Sequence, residues 1–140
     1  MIITNSDLTI DPFSLGNDPM DYLTSRIDPV ISAETFFNRH VDGQIDTLFT
    51  LRFAKDYFKI YKTASENFLQ EACIQSETFK TKDGFHVGMT KSEFKRLIPS
   101  YELSKIPDYI RLQSFEVLEW IDVVFIQGRI QTIKFSGYVD

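Results

Sequence analysis

The feature that most constrains this chain is a self-similarity between its two halves at one offset, 72 residues, from Phe13 to Phe85. The segment Phe13-Ser14-Leu15-Gly16-Asn17-Asp18-Pro19-Met20-Asp21-Tyr22 matches Phe85-His86-Val87-Gly88-Met89-Thr90-Lys91-Ser92-Glu93-Phe94 in pattern. A phenylalanine, an aliphatic residue, a glycine, a capping residue, an acid and an aromatic recur in register. Each copy reads as a helix start. Asp18 or Thr90 accepts a bond from an orphan amide, and Asp21 or Glu93 three residues later completes or mimics a capping box. Pro19 falls at the first helical position, where a missing N–H costs nothing. Tyr22, Leu23 and Ile27 form one apolar stripe; Phe94, Leu97 and Ile98 form the other. Pro29 and Pro99 bound both helices.

The offset extends into strand-like segments. Phe49, Leu51 and Phe53 alternate with Thr50 and Arg52, and the equivalents Ile121, Val123 and Phe125 form one face of a second strand. Lys55-Asp56 and Gln127-Gly128 are expected as hairpin turns. Phe58 and Ile60 lie opposite Ile130 and Thr132, but Ile133 and Phe135 imply that the second return strand slips by one residue. Phe37 and Arg39 align with Tyr109 and Arg111, with a turn signal after the first at Asp42-Gly43. The expected fold is α+β: two tandem units of a helix plus an antiparallel meander, about 7–63 and 77–135, sharing one twisted sheet with both helices on one face. The linker, about 64–76, has helical spacing at Phe68, Leu69, Ala72 and Cys73, yet Leu69 to Thr81 reads equally well as a strand. A chain of 140 residues suits one domain.

The corner Gly88-Met89-Thr90-Lys91-Ser92-Glu93-Phe94 resembles that of the superfamily containing the beta-lactamase inhibitory protein and the SmpA/OmlA-type outer-membrane assembly lipoproteins. In that superfamily a strand leads through a glycine–methionine–Ser/Thr–Lys corner into a helix, and a meander follows. Two units in tandem look most like the inhibitory protein. The resemblance spans Phe79 to Phe135, and more weakly Asp7 to Lys62, with Gly16, Asp18 and Asp21 at the first corner. That corner reads Asn17-Asp18-Pro19 instead, and neither a lipidation cysteine nor paired disulfide cysteines are present. The resemblance implies a noncatalytic, bacterial protein or ligand binder, of inhibitor, immunity or envelope-assembly type.

Composition excludes several classes. With 15 basic and 20 acidic residues the formal charge is −5 and the pI is about 5, so a basic nucleic-acid-binding face is not expected. The longest unbroken aliphatic or aromatic run, Val123-Val124-Phe125-Ile126, is far below a membrane span. Met1-Ile2-Ile3-Thr4 has no basic or apolar leader pattern, so the location expected from the sequence as written is cytoplasmic, or periplasmic if a leader has been removed. Cys73, the single cysteine, supports neither a disulfide framework nor a thiolate zinc cluster.

Catalytic signatures are missing: no zinc helix, phosphate loop, dinucleotide fingerprint or nucleophile elbow. His86, between Phe85 and Val87, reads as a structural imidazole, and Cys73 as a small buried hydrophobe. Glu119 and Asp122 are expected on opposite faces of a strand, which separates them. The chain is therefore read as nonenzymatic, with no cofactor. Residues 1–47 carry eight acids against Arg26 and Arg39; caps and turns account for most of them. Asp11, Asp18 and Asp21 are the candidate ligands if a divalent cation or small ligand occupies a cleft between the units.

One surface signal remains. On the second strand the alternate face reads Trp120, Asp122, Val124, Ile126. If helices cover Ile121, Val123 and Phe125, then Trp120, Val124 and Ile126 lie on the open side, joined by Tyr57 and Tyr61 one strand further along. Aromatics there suit docking of another protein or of a second copy of the chain. Alternatively Tyr101 to Ile110, or the N-terminal arm, folds over and buries them.

Overall fold

The computed structural model describes residues 1–98 and 105–137. The strands are β1 (Ile2–Thr4), β2 (Val30–Phe37), β3 (Ile45–Phe53), β4 (Asp56–Lys62), β5 (Asn67–Ile74), β6 (Tyr109–Gln113), β7 (Trp120–Ile126) and β8 (Arg129–Ser136), with helices α1 (Pro19–Arg26) and α2 (Lys91–Arg96). All strands join one mixed sheet in the order β1-β6-β7-β8-β5-β4-β3-β2. Among the described residues only the β1–β6 pair is parallel. The fold is dominated by its sheet, with two short α-helices among the described residues.

The ambiguous linker resolves as β5, a central strand between β4 and β8. Its helical spacing lost to ladder hydrogen bonds, with β4 along residues 67–73 and with β8 along residues 71–74. Two three-stranded meanders, β2-β3-β4 and β6-β7-β8, therefore meet across β5 and do not touch directly.

One side of the sheet is the core. Leu51, Phe58, Ile60, Ala72, Ile74, Ile110, Leu112, Ile121, Val123, Ile133 and Phe135 point into a single cluster with Leu23 of α1 and Phe94 of α2. The N-terminal arm adds Ile3, Leu8, Phe13 and Leu15 to the same cluster. The arm thus packs into the core side. Phe94 sits against Phe85 and Phe125 with ring centroids 4.8 and 5.4 Å away.

Both helix corners fold as the capping pattern requires. Asp18 Oδ1 accepts the Asp21 N–H at 3.0 Å, while Thr90 and Glu93 form a reciprocal capping box. Gly16 (φ 80°) and Gly88 (φ 92°) take the left-handed conformation ahead of each cap, which glycine adopts without steric cost. Their attachments differ. The Gly88 N–H donates to Ile130 O and the Ile130 N–H to Met89 O, each at 2.8 Å, so buried Met89 is clamped to β8. Lys91 Nζ reaches Asp108 at 2.6 Å. The first corner is held by Asn67 at the start of β5, which receives the Met20 N–H and donates to Asp18, each at 3.0 Å.

Other expectations need correction. Tyr22 and Phe94 are not equivalent: Tyr22 is half-buried under the Arg26 guanidinium, and Leu23 supplies the buried anchor of α1. The first hairpin turns at Ala54-Lys55, because Phe53 already pairs with Asp56. Asp56 is buried, accepting the Gln75 and Ser76 N–H groups at 2.6 and 3.0 Å. The second turn falls at Gln127-Gly128, both at positive φ as a type I′ turn demands. The one-residue slip in β8 has a local cause, a β-bulge opposite Val124/Phe125 that leaves Gln131 unpaired. The strands β2 and β6 do not share the offset, since Phe37 pairs with Ile45 whereas Tyr109 pairs with Val124. Pro99 and the first part of the 101–110 segment lie outside the described residues.

Candidate functional site

The side of the sheet opposite the core is crossed by two rungs of side chains that the strand registers define. One runs Ile2, Arg111, Asp122, Lys134, Cys73, Tyr57, Arg52, Val30 from edge to edge. The next runs Thr4, Gln113, Trp120, Ser136, Glu71, Lys59, Thr50, Ser32. Alternation along each strand sends these positions outward while their neighbours enter the core. Trp120, Val124, Tyr57 and Tyr61 are half-buried, and Ile126 is 51% exposed. Among the described residues no helix packs over them; Leu23 and Phe94, the helices' buried anchors, lie in the core on the other side.

Tyr57 and Tyr61 do not adjoin Trp120, contrary to expectation. They lie on β4, separated from β7 by β8 and β5, three strand spacings or roughly 14 Å. The insertion of β5 moved them. The face is also more charged than its apolar reading suggested. Arg111 Nε donates to Asp122 Oδ1 at 2.8 Å, and its guanidinium lies 5.0 Å from the Trp120 ring centroid. The Tyr109 hydroxyl donates to the same Asp122 oxygen at 2.5 Å, and burial together with that carboxylate raises the Tyr109 pKa.

A second cluster surrounds Tyr57 and Tyr61. The Tyr57 hydroxyl donates to Glu71 at 2.5 Å; burial, then the Glu71 bond and charge, push its pKa up. The Tyr61 ring stacks on Phe68 at 5.5 Å, and its hydroxyl donates to Asp46 at 2.7 Å. Asp46 also accepts from Asn38 and Gln44, each at 2.8 Å. Hydrogen bonds from Gln44 and Tyr61 hold the Asp46 carboxyl below its ordinary range. Sequence reading missed Asp46, Glu71 and the Arg111–Asp122–Tyr109 group. Opposite charges across a ladder become visible only once pairing partners are known.

The carboxylates Asp11 and Asp18 are spent locally. Asp11 accepts the Leu15 and Gly16 N–H groups at 2.8 and 3.1 Å, Asp18 caps α1, and Asp21 is exposed. Among the described residues no group of three or more His, Cys, Asp or Glu is arranged to hold a metal ion. Asp11 does line a cleft of about 300 Å³ with Glu66, Asn67 and Glu119, between the N-terminal arm and the sheet. Burial raises the Glu119 pKa. Glu119 faces this cleft while Asp122 faces the open side, so the two remain apart as expected.

His86 Nδ1 lies 3.0 Å from Val87 O, beside buried Phe85. Burial raises the Cys73 thiol pKa, which disfavours the thiolate a nucleophile needs.

By architecture the chain is an eight-stranded mixed sheet with its core on one side and a polar-aromatic face on the other. No helix among the described residues is long and apolar enough to cross a membrane. No family model, curated protein or solved structure matches the chain.

Proposed function

We propose that the chain is a nonenzymatic protein-interaction module that docks a partner protein on the open face of the sheet around Trp120 and Arg111. The supporting observation is the contrast between the two sides of β7. Ile121 and Val123 are fully buried, while Trp120, Asp122 and Val124 on the reverse side are only partly buried. Tryptophan, tyrosine and arginine are the residue types that concentrate binding energy at interfaces. The two rungs carry Arg52, Lys59, Arg111 and Lys134 against Glu71 and Asp122, a positive balance on a chain of charge −5. A partner surface bearing carboxylates suits that balance.

The tandem-unit reading belongs with this proposal. Its support is that α1 and α2 begin 72 residues apart, at Pro19 and Lys91, and that Leu51 and Val123 occupy matching buried places. Helix anchors Leu23 and Phe94 share one core, in keeping with both helices lying on one side. The resemblance to the beta-lactamase inhibitory protein and SmpA/OmlA superfamily is likewise proposed on the Gly88-Met89-Thr90-Lys91 corner and the meander after it.

The test compares wild type with Trp120→Ala and Arg111→Ala as bait on source-cell extract, with melting temperature recorded for each. Retention of fold with loss of the proteins captured by wild type is the expected result. Capture unchanged by both substitutions would sink the reading. A second reading, a small ligand or divalent cation in the cleft that Asp11 lines, is favoured only by the room there. Titration with calcium or spermidine that produces neither heat nor a melting shift disposes of it.

A further inference from the structure

The edge strand β2 is unusual in this fold because no described element covers its outer edge. Every residue from Val30 to Phe37 is exposed, including Val30 (74%), Ile31 (46%), Phe36 (43%) and Phe37 (81%). The sheet order ends at β2, so its outer edge has no strand partner among the described residues. Natural edges are blunted by lysine, proline, bulges or short length. β2 is eight residues long, pairs with β3 without a register shift, and carries Glu34 as its one charge. The opposite edge, β1, has three residues.

We infer that β2 pairs antiparallel with β2 of a second copy of this chain, about a two-fold axis through Ala33 and perpendicular to the sheet. The register follows from the backbone. The Asn38 N–H donates inward to Gln44 O at 2.9 Å, so even-numbered residues of β2 bond toward β3 and Ile31, Ala33, Thr35 and Phe37 present their N–H groups outward. A two-fold perpendicular to the sheet keeps each face continuous, which requires paired residues of equal parity. Centring on Ala33 pairs Ile31 with Thr35 and Ala33 with itself through the outward backbone groups. Between them, Val30 meets Phe36 and Ser32 meets Glu34 on the open side. Phe37 donates to the carbonyl of Pro29, whose missing N–H needs no acceptor.

Self-pairing is favoured because this register is both long and free of like-charge opposition. Centring one residue further, on Glu34, sets two carboxylates against each other in a close pair, a destabilising arrangement. Centring on Ser32 loses the Phe36 and Phe37 contacts. Charge and apolar pattern thus select one alignment from the strand's own sequence. The resulting sheet is continuous through both copies, with both open faces on the same side. This inference stands apart from docking at Trp120, since it uses a different surface.

Sedimentation equilibrium of the full chain tests it. Wild type is expected to be dimeric at about 100 μM. Ala33→Pro deletes one outward N–H and leaves the β3 ladder intact, because proline is tolerated where the N–H faces solvent. Ala33→Lys sets two ammonium groups together at the axis. Each is expected to weaken the dimer at least about tenfold while melting cooperatively. Hydrogen exchange reports independently on folding failure: in wild type the outward amides of Ile31, Ala33 and Thr35 should slow with rising protein concentration. A monomer at about 100 μM, or a dimer indifferent to Ala33→Lys, overturns the inference. A dimer lost with Trp120→Ala and kept with Ala33→Lys places self-association on the open face and overturns it equally.

Discussion

The strands β2 and β6 are each the first strand of a three-stranded meander, yet their packing differs completely. β6 buries Ile110 and Leu112 fully, and β1 lies along its outer side. Among the described residues β2 pairs only with β3, and all eight of its residues are exposed. Both segments contain aliphatic and aromatic residues, so hydrophobicity did not decide the outcome. Coverage did. The N-terminal arm and α2 contribute Leu8 and Phe94 to the core shared with Ile110 and Leu112, whereas the core-side residues of β2, Ile31 and Phe37, remain 46% and 81% exposed. A strand is only as buried as the layer laid over it.

The sharpest way to break this comparison is matched truncation. Ile110→Ala should cost about 3 kcal/mol of stability and Phe94→Ala about 4 kcal/mol, as buried large-to-small changes do. Ile31→Ala should cost under about 1 kcal/mol, being solvent-exposed. Urea denaturation of the three variants measures this at a protein concentration where wild type is monomeric. A cost at Ile31 equal to that at Ile110 would mean that β2 is covered.

A smaller effect probes the open side of β6. Arg111 and Asp122 are partly shielded, with side-chain exposures of 33% and 16%. A double-mutant cycle with Arg111→Ala and Asp122→Ala should return a coupling of about 0.5–1 kcal/mol, typical of a partly exposed pair. The coupling should shrink in high salt. A null coupling would reduce the rung to adjacency without energy.

The smallest effect concerns acid. Asp46 bonds to Asn38 just beyond β2, and hydrogen bonding keeps its folded-state pKa below the unfolded value. A lowered carboxylate contributes stability above its unfolded pKa, and that contribution disappears as pH falls through the folded value. Stability followed from about pH 5 down to about pH 2 should therefore decline less steeply in Asp46→Asn than in wild type. Equal slopes would remove Asp46 from the account. The caps Asp18 and Glu93 shift in the same direction, so their effect persists in both proteins.

Much of the local structure was legible without coordinates. Asp18, Thr90 and Glu93 cap as their spacing indicated, and Gly16 and Gly88 take the conformation that glycine permits. Leu51, Ile121, Val123 and Phe125 face one side as period-two alternation required, and Trp120 faces the other. The first hairpin turn fell one residue early, at Ala54-Lys55, and the larger failures were non-local. Residues 67–74 carry helical spacing, but two neighbouring strands claimed their backbone. Order in the chain suggests Tyr57 and Tyr61 beside Trp120, but β8 and β5 lie between β7 and β4. The exposure of β2 was invisible, since Val30-Ile31 and Phe36-Phe37 read like any core strand.

Caps, turns and alternation arise from bonds between residues a few positions apart, and those the amino-acid order by itself determined. Strand order, the seat of β5, the parallel edge at β1 and the bare side of the sheet were decided only in three dimensions. They depend on which distant segments meet, and many pairings satisfy the same local rules. Burial energy and shared backbone hydrogen bonds choose among them, and both are properties of the assembled chain.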